Sequence, residues 1–391
     1  MTLRQSSFVL SDGLVEHCAE RAAAYDRENR FFFEDFSELK EAGYLTVAVP
    51  REFGGRGLNL AQVCREQRRL AYHAPATALG INMHLYWTGV AADLWRRGDK
   101  SLQWMLEEAA AGEVFAAGHA ERGNDVPMFF SSATAERVDG GFRFTGHKMF
   151  ASMAPVWTRY GLHAMWNDAE RGPQIVHAFF PRDSAGYRIV ETWDTLGMRG
   201  TRSDDVLLEG AFVPDKYIAR IVPTGTGDEF VLAVFAWALL GCANVYYAIS
   251  QRAVDLVLPM LKSRSSVALA RSMAYQPMAQ HAVAEMVLAL DAVGPHIEKV
   301  AEDWSAGADL GALWGAKIVS AKYHAVEACW RIVDLAMELS GGAGMFKTNE
   351  LERLFRDARC GRFHPANALL AHEFVAKTVL GIDPWAQPRW G

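Results

Sequence analysis

Apolar residues recur every three or four positions through the first hundred residues, which predicts helices over residues 14–25, 32–42, 60–72, 78–96 and 102–111. Gly43 supplies a stop after the second of these. A short β-rich run, Leu45-Thr-Val-Ala-Val, then meets Pro50 and the Gly54-Gly55 loop, where the chain must change direction. From Val114 to Pro214 the period shortens toward two. Residues 134–138, 142–145, 175–180 and 206–212 read as strands, and Asp139-Gly-Gly141 reads as a hairpin turn between the first two. Helical spacing returns from Phe230 to Leu380 in four or five long segments, as in a helix bundle. The chain is therefore expected to be α+β: an N-terminal α-helical domain (1–113), a middle β domain of barrel or sandwich type (114–226), and a C-terminal helical bundle (227–391). No internal repeat or low-complexity linker separates these parts.

The composition narrows the function classes. A net charge of −6 spread over 391 residues gives no basic footprint for nucleic acid or an anionic membrane. Five scattered cysteines, none in a Cys-x-x-Cys pair, argue against a disulfide framework or a zinc site and for a reducing, cytoplasmic setting. The most apolar run, 230–248, approaches membrane-span length but holds Asn244 and two tyrosines between charged flanks. It is expected to be a buried bundle helix, not a membrane span. His372 and Glu373 lie together without a third ligand nearby, so no metal site is expected.

Candidate chemistry gathers near the C-terminus. Gly341, Gly342 and Gly344 allow positive φ and close backbone approach to a ligand, and a charge-flanked helix pattern carrying Glu352, Arg353, Arg356 and Asp357 follows. A glycine turn feeding a helix start suits an anion such as pyrophosphate. This Gly-Gly-x-Gly, Glu-Arg, Arg-Asp-Ala series resembles acyl-CoA dehydrogenases, as do Val49-Pro-x-x-x-Gly-Gly55, Gly146-His-Lys-Met-Phe-Ala-Ser152 and Trp193-Asp-Thr-Leu-Gly-Met-Arg-Gly-Thr-Arg-Ser203. The stretch Phe115 to Asp125 is similar to the family's flavin loop, with Gly118 and Asn124 in place of its usual Thr and Ser. The resemblance covers nearly the whole chain. It implies the acyl-CoA dehydrogenase fold, a bound FAD (FMN also being open), and a flavin ring held by Phe150, Ala151 and the Ser152 hydroxyl near N5. It also implies a homotetramer in which Gly341, Gly342 and Gly344 serve a neighbour's flavin, with Arg264 as the remaining pyrophosphate candidate.

Two departures bear on the reaction. Dehydrogenation of an acyl thioester needs a carboxylate within reach of the substrate α-proton. Counted from Arg356-Asp-Ala358, the family's Glu-Gly-Thr falls on Pro365, Ala366 and Asn367. Some relatives place the glutamate at the first bundle helix instead, where the count reaches Val231 and Glu229 is the near candidate. The chain also resembles flavin monooxygenases of the same fold, which carry His-Pro or His-Pro-x-Asn where this chain has His364-Pro-Ala-Asn367, and a histidine of the N-terminal domain matched here by His84. Two readings follow. The first is α,β-dehydrogenation of a CoA or carrier-protein thioester with an electron-transferring flavoprotein as partner. The second is a two-component monooxygenase fed by a flavin reductase.

Overall fold

Ser11 starts the first helix by accepting from Leu14 N at 3.2 Å, and Asn29 ends it in the left-handed region (φ 49°). The structure is a computed structural model that describes residues 8–125, 127–265, 267–268 and 270–383; Ser266 of the Arg264 stretch and the last eight positions of the C-terminal bundle lie outside them. Five helices form the first part: α1 (Asp12–Glu28), α2 (Phe33–Glu41), α3 (Leu60–His73), α4 (Pro75–Arg96) and α5 (Gln103–Ala110). Asn59 and Gln62 make a reciprocal capping box at the start of α3, and Pro75 opens α4.

The β-rich run at 45–50 is not a strand. Tyr44–Thr46 and Arg51–Phe53 are single 3-10 turns. The segment bonds to itself, Gly57 N to Val49 O and Leu58 N to Val47 O, both at 2.8 Å. Val47, Ala48 and Val49 are fully buried, so their apolar character reflects burial and not strand pairing.

Eight strands follow: β1 (Phe115–Ala117), β2 (Thr134–Val138), β3 (Gly141–Ala151), β4 (Arg159–Asp168), β5 (Gly172–Pro181), β6 (Tyr187–Val190), β7 (Asp204–Pro214) and β8 (Ile218–Pro223). They form one sheet in the order β6-β7-β3-β2-β4-β5-β8, with β1 parallel to β4. The expected hairpin joins β2 to β3, Val138 facing Gly141. The sequence pattern passes over β4, whose residues 160–164 are continuously buried and which has no β-branched residue to mark it. The β3–β7 register slips between Lys148 and Ala151. This irregularity takes Phe150 out of the ladder, with φ at 60° and the residue 52% exposed.

The last part contains α6 (Glu229–Ser263), α7 (Pro277–Ser305), α8 (Leu313–Ser340), α9 (Glu350–Cys360) and α10 (Ala368–Leu380). Helix α6 is apolar on all sides because α3, α4, α7 and α8 surround it. It is long and apolar enough to cross a membrane by length and composition, yet 83% of its most apolar window is buried within the protein. A single hydrophobic core runs through all three parts.

Candidate functional site

A cavity of about 430 Å³ opens where α4, the β3 irregularity, the 193–203 loop, α6 and the 360–365 turn converge. Met83, Met149, Trp193, Phe235 and Phe363 make most of its wall apolar. Among the described residues lining it there is no Asp, Glu, Lys or Arg. The polar wall groups are Asn82, His119, Ser152, Thr195, Thr201, Ser203 and His364, besides the hydroxyl of Tyr86 and the thiols of Cys242 and Cys360.

Of the expected flavin-holding residues, Phe150 and Ser152 line this cavity, and Ala151 lies buried between them. Phe150 meets Trp193 edge-on at 6.0 Å. Ser152 belongs to a chain of hydroxyls: its Oγ is 2.7 Å from Ser203 Oγ, which is 2.7 Å from Thr201 Oγ1, and Thr201 donates to Met198 O at 2.8 Å. Because Thr201 spends its proton on a carbonyl, Ser203 donates to Thr201 and Ser152 donates to Ser203. Ser152 therefore offers lone pairs to the cavity.

His364 also lines the cavity, its Nε2 2.8 Å from the Tyr246 hydroxyl. Burial, with the nearby Lys322 charge, pushes its pKa down to about 3, so it is neutral. The turn that carries it is set from below. Lys322 of α8, 1% exposed, donates to His364 O (3.3 Å), Ala366 O (3.2 Å) and Gly361 O (3.5 Å). Gly361 packs so closely on Tyr246 that a Cβ there would come within 2.8 Å of the ring. Ala366, where the family count places a glycine, takes φ 57°. Pro365 stands on the cavity wall beside His364.

The other expected residues lie elsewhere. His84 is fully buried: its Nδ1 accepts from Phe115 N at 3.0 Å and its Nε2 donates to Leu45 O at 2.8 Å. Both ring nitrogens are used up in joining α4 to β1 and to the 44–46 turn, and His84 does not reach the cavity, contrary to the sequence expectation. Glu229 is also corrected. It sits in the first turn of α6, 65% exposed, paired with Arg97 at 3.5 Å, and forms no part of the cavity wall. Asn367 caps α10, accepting from Leu370 N at 3.2 Å. Gly341 (φ 61°), Gly342 and Gly344 form the turn after α8, and Arg264 braces it by donating to Ser340 O at 2.6 Å; none of the four lines the cavity. Arg356 and Asp357 are clamps: Arg356 grips Asp26 and Glu352 with both ends of its guanidinium, and Asp357 accepts from Met198 N at 2.5 Å.

His119 and Lys322 were not anticipated. His119 follows β1 within the flavin-loop stretch, and an ion pair fixes that loop: the fully buried Lys148 of β3 binds Glu121. Burial alone would raise the Glu121 carboxyl, but the Lys148 charge and bonds from Ser131 and Asn124 hold it down at about 2. A lysine facing the apolar side of a helix, with Ile318, Ala321 and Ala325 as neighbours, was the available signal for Lys322.

The wall suits a flavin ring, being long and apolar with an acceptor hydroxyl at Ser152; the glycine turn that would meet the rest of an FAD is not on the cavity wall of the same chain.

Comparison with known proteins agrees with this arrangement. Residues 10–113 match the family model "Acyl-CoA dehydrogenase, N-terminal domain" and residues 234–368 match "Acyl-CoA dehydrogenase, C-terminal domain". The chain is 27% identical over 360 residues to the putative acyl-CoA dehydrogenase YdbM of Bacillus subtilis, covering 90% of this chain and 91% of that one. It is 26% identical over 378 residues to L-evernosamine nitrososynthase of a Micromonospora species, covering 95% and 89%. The solved structure of KijD3 with FMN and a dTDP-amino-keto sugar superposes with a TM-score of 0.84 at 26% identity, covering 95% and 92%. The chain belongs to the acyl-CoA dehydrogenase superfamily of flavin-dependent enzymes.

Proposed function

We propose that the protein is the oxygenase of a two-component flavin monooxygenase, taking reduced FMN or FAD from a separate reductase and oxygenating a small organic substrate. The observation that carries this is the cavity wall, which has Pro365 beside His364 and no carboxylate among its described residues. Without a carboxylate, the α-proton of a thioester would have to go to His364 or His119, both held near pKa 3 by burial and thus weak bases. Reduced flavin, when bound, supplies the two electrons with which O₂ gives one atom to the substrate and one to water.

Three features of the chain support the reading. Ser152 is an acceptor, which suits the N–H that flavin N5 carries only in its reduced form. His364, neutral and steadied by Tyr246, adds a polar ring to the otherwise apolar wall. The apolar wall leaves few polar groups to hold water beside the reacting atoms. Dehydrogenation of a thioester, with an electron-transferring flavoprotein as acceptor, is the second reading and rests on the family at large.

We infer further that a neighbouring copy completes the flavin site. The glycine turn lies off the cavity and is followed by Met345 and Phe346, which are 74% and 66% exposed. The test is turnover with chemically reduced flavin under ¹⁸O₂. The label should enter product, and His364→Ala should lower the rate up to about tenfold, the size of one lost hydrogen bond in the cavity. Product without label would refute the reading.

A further inference from the structure

The oxygenase reading leaves one polar group of the cavity unused. Leu79, Asn82, Met83 and Tyr86 stand three or four positions apart on α4, so they share one face of the helix, and all four line the cavity. Tyr86 is only 3% exposed, so the surface it keeps belongs to that hollow. Its hydroxyl makes no hydrogen bond to a described residue. Trp87 Nε1 and His119 Nε2 lack partners too, but they are sealed off, whereas the Tyr86 hydroxyl is not. The accessible space it meets is the cavity.

Most other polar wall groups are committed to the protein. Asn82 accepts from Gln67 Nε2 at 3.4 Å and donates to Ala238 O at 3.3 Å. Thr195 donates to Gly197 O at 3.0 Å, and the Cys360 thiol to Arg356 O at 3.4 Å. Burial pushes the Tyr86 pKa up, so the phenol keeps its proton. Trp87 Nε1 comes near the phenol oxygen without hydrogen-bond geometry, and an N–H on that side would take a lone pair, not the proton. The wall thus presents a free O–H within an apolar surface.

We propose that Tyr86 selects the substrate of this cavity, its hydroxyl donating one hydrogen bond to the carbonyl oxygen of an otherwise apolar, uncharged molecule, of which a cyclic ketone is the simplest case. The proposal rests on the oxygenase reading for what happens to that molecule, but not for its binding. The chemistry of the wall sets the class. No Asp, Glu, Lys or Arg among the described lining residues would meet a phosphate or carboxylate, and Met83, Phe235 and Phe363 supply apolar surface for the rest of the molecule. A carbonyl takes the phenol proton without bringing a donor of its own. A substrate hydroxyl would bring one, and Ser152, the open acceptor, is assigned to the flavin.

A matched pair of probes tests this on the full chain with FAD or FMN present. Affinities for 1-tetralone and for the hydrocarbon tetralin are measured by equilibrium dialysis, and the carbonyl stretch of bound tetralone is followed in the infrared. The ketone should bind about 3- to 10-fold more tightly than the hydrocarbon, the value of one neutral hydrogen bond, and its carbonyl band should move to lower frequency. Tyr86→Phe removes the hydroxyl and keeps the ring. In it the preference and the band shift should disappear, with tetralin and flavin affinities unchanged. Equal binding of the pair by the wild-type protein would overturn the proposal even if the variant does not fold. So would a preference that survives Tyr86→Phe, or a loss confined to flavin affinity. Failure of ¹⁸O incorporation with the ketone preference intact would instead remove only the oxygenase reading.

Discussion

Two lysines are buried among the described residues, and each fixes one of the loops that frame the cavity, by different physics. Lys148 faces a carboxylate, Glu121, together with Ser131 Oγ and the carbonyl of His163. Lys322 has three carbonyls and no carboxylate partner among the described residues. Burial lowers the pKa of both, Lys148 to about 8 against the opposing pull of Glu121. The first arrangement is a neutralised pair that fastens the 115–121 segment to β3. The second is a lone charge solvated by backbone dipoles, which gathers a turn carrying a proline and a strained alanine. The pair therefore resists loss of one member strongly, whereas the lone lysine trades its own desolvation cost against the shape of the 361–366 turn.

The largest effect is expected at the pair. Lys148→Met leaves Glu121 charged and buried, which should cost about 3–5 kcal/mol in denaturant unfolding, and adding Glu121→Gln should recover most of it. Lys322→Met should cost less, about 1–2 kcal/mol, because removing the lone cation also removes its desolvation penalty. Its turnover should nevertheless fall about tenfold as His364 loses its support. A larger stability loss at Lys322 than at Lys148 would reverse the comparison.

Acid should act through histidines near these loops, one buried and two half-buried. His84, His119 and His364 have pKa values pushed down to about 4, 3 and 3 by burial. A histidine whose folded pKa is depressed gains protons first in the unfolded chain. The stability from keeping these rings neutral is thus complete above about pH 6.5 and lost as pH falls toward 4 and below. Asp357, raised by burial to about 6, works the other way: its contribution is present below about pH 4 and lost as pH rises through 6. Unfolding midpoints measured from pH 7.5 to 4.5 should fall toward acid, and His84→Gln should flatten the slope. The smallest effect is expected at Glu229. Being 65% exposed, Glu229→Gln should alter turnover less than twofold.

How much of this was legible follows from which physics each residue obeys. Helices α1, α3 and α4 were readable because their apolar spacing is local, and α6 because its apolar run is long and unbroken. Buried β4 was not, since it has neither alternation nor a β-branched residue, whereas equally buried β5 carries Ile175 and Val176. Phe150, Ser152 and His364 stood out through motif wording, and the fold puts all three on the cavity wall. His84 was misplaced because nothing in Asn82-Met-His-Leu reveals that both ring nitrogens go to backbone groups, one 39 and one 31 positions away. His119 stayed hidden because its place on the cavity wall, with Nδ1 3.2 Å from His163 Nδ1, is a property of the folded chain.

The central claim is that this cavity serves oxygen chemistry and not removal of an α-proton by a carboxylate. The most direct measurement is rapid mixing of the protein, loaded with chemically reduced flavin, against aerated buffer, followed in the near ultraviolet, with oxidised flavin and an acyl-CoA panel in a parallel anaerobic arm. The structure predicts reoxidation in two resolved phases with an absorbing species that persists for seconds, and no bleaching of oxidised flavin by any acyl-CoA. Single-phase reoxidation together with bleaching by an acyl-CoA would contradict it.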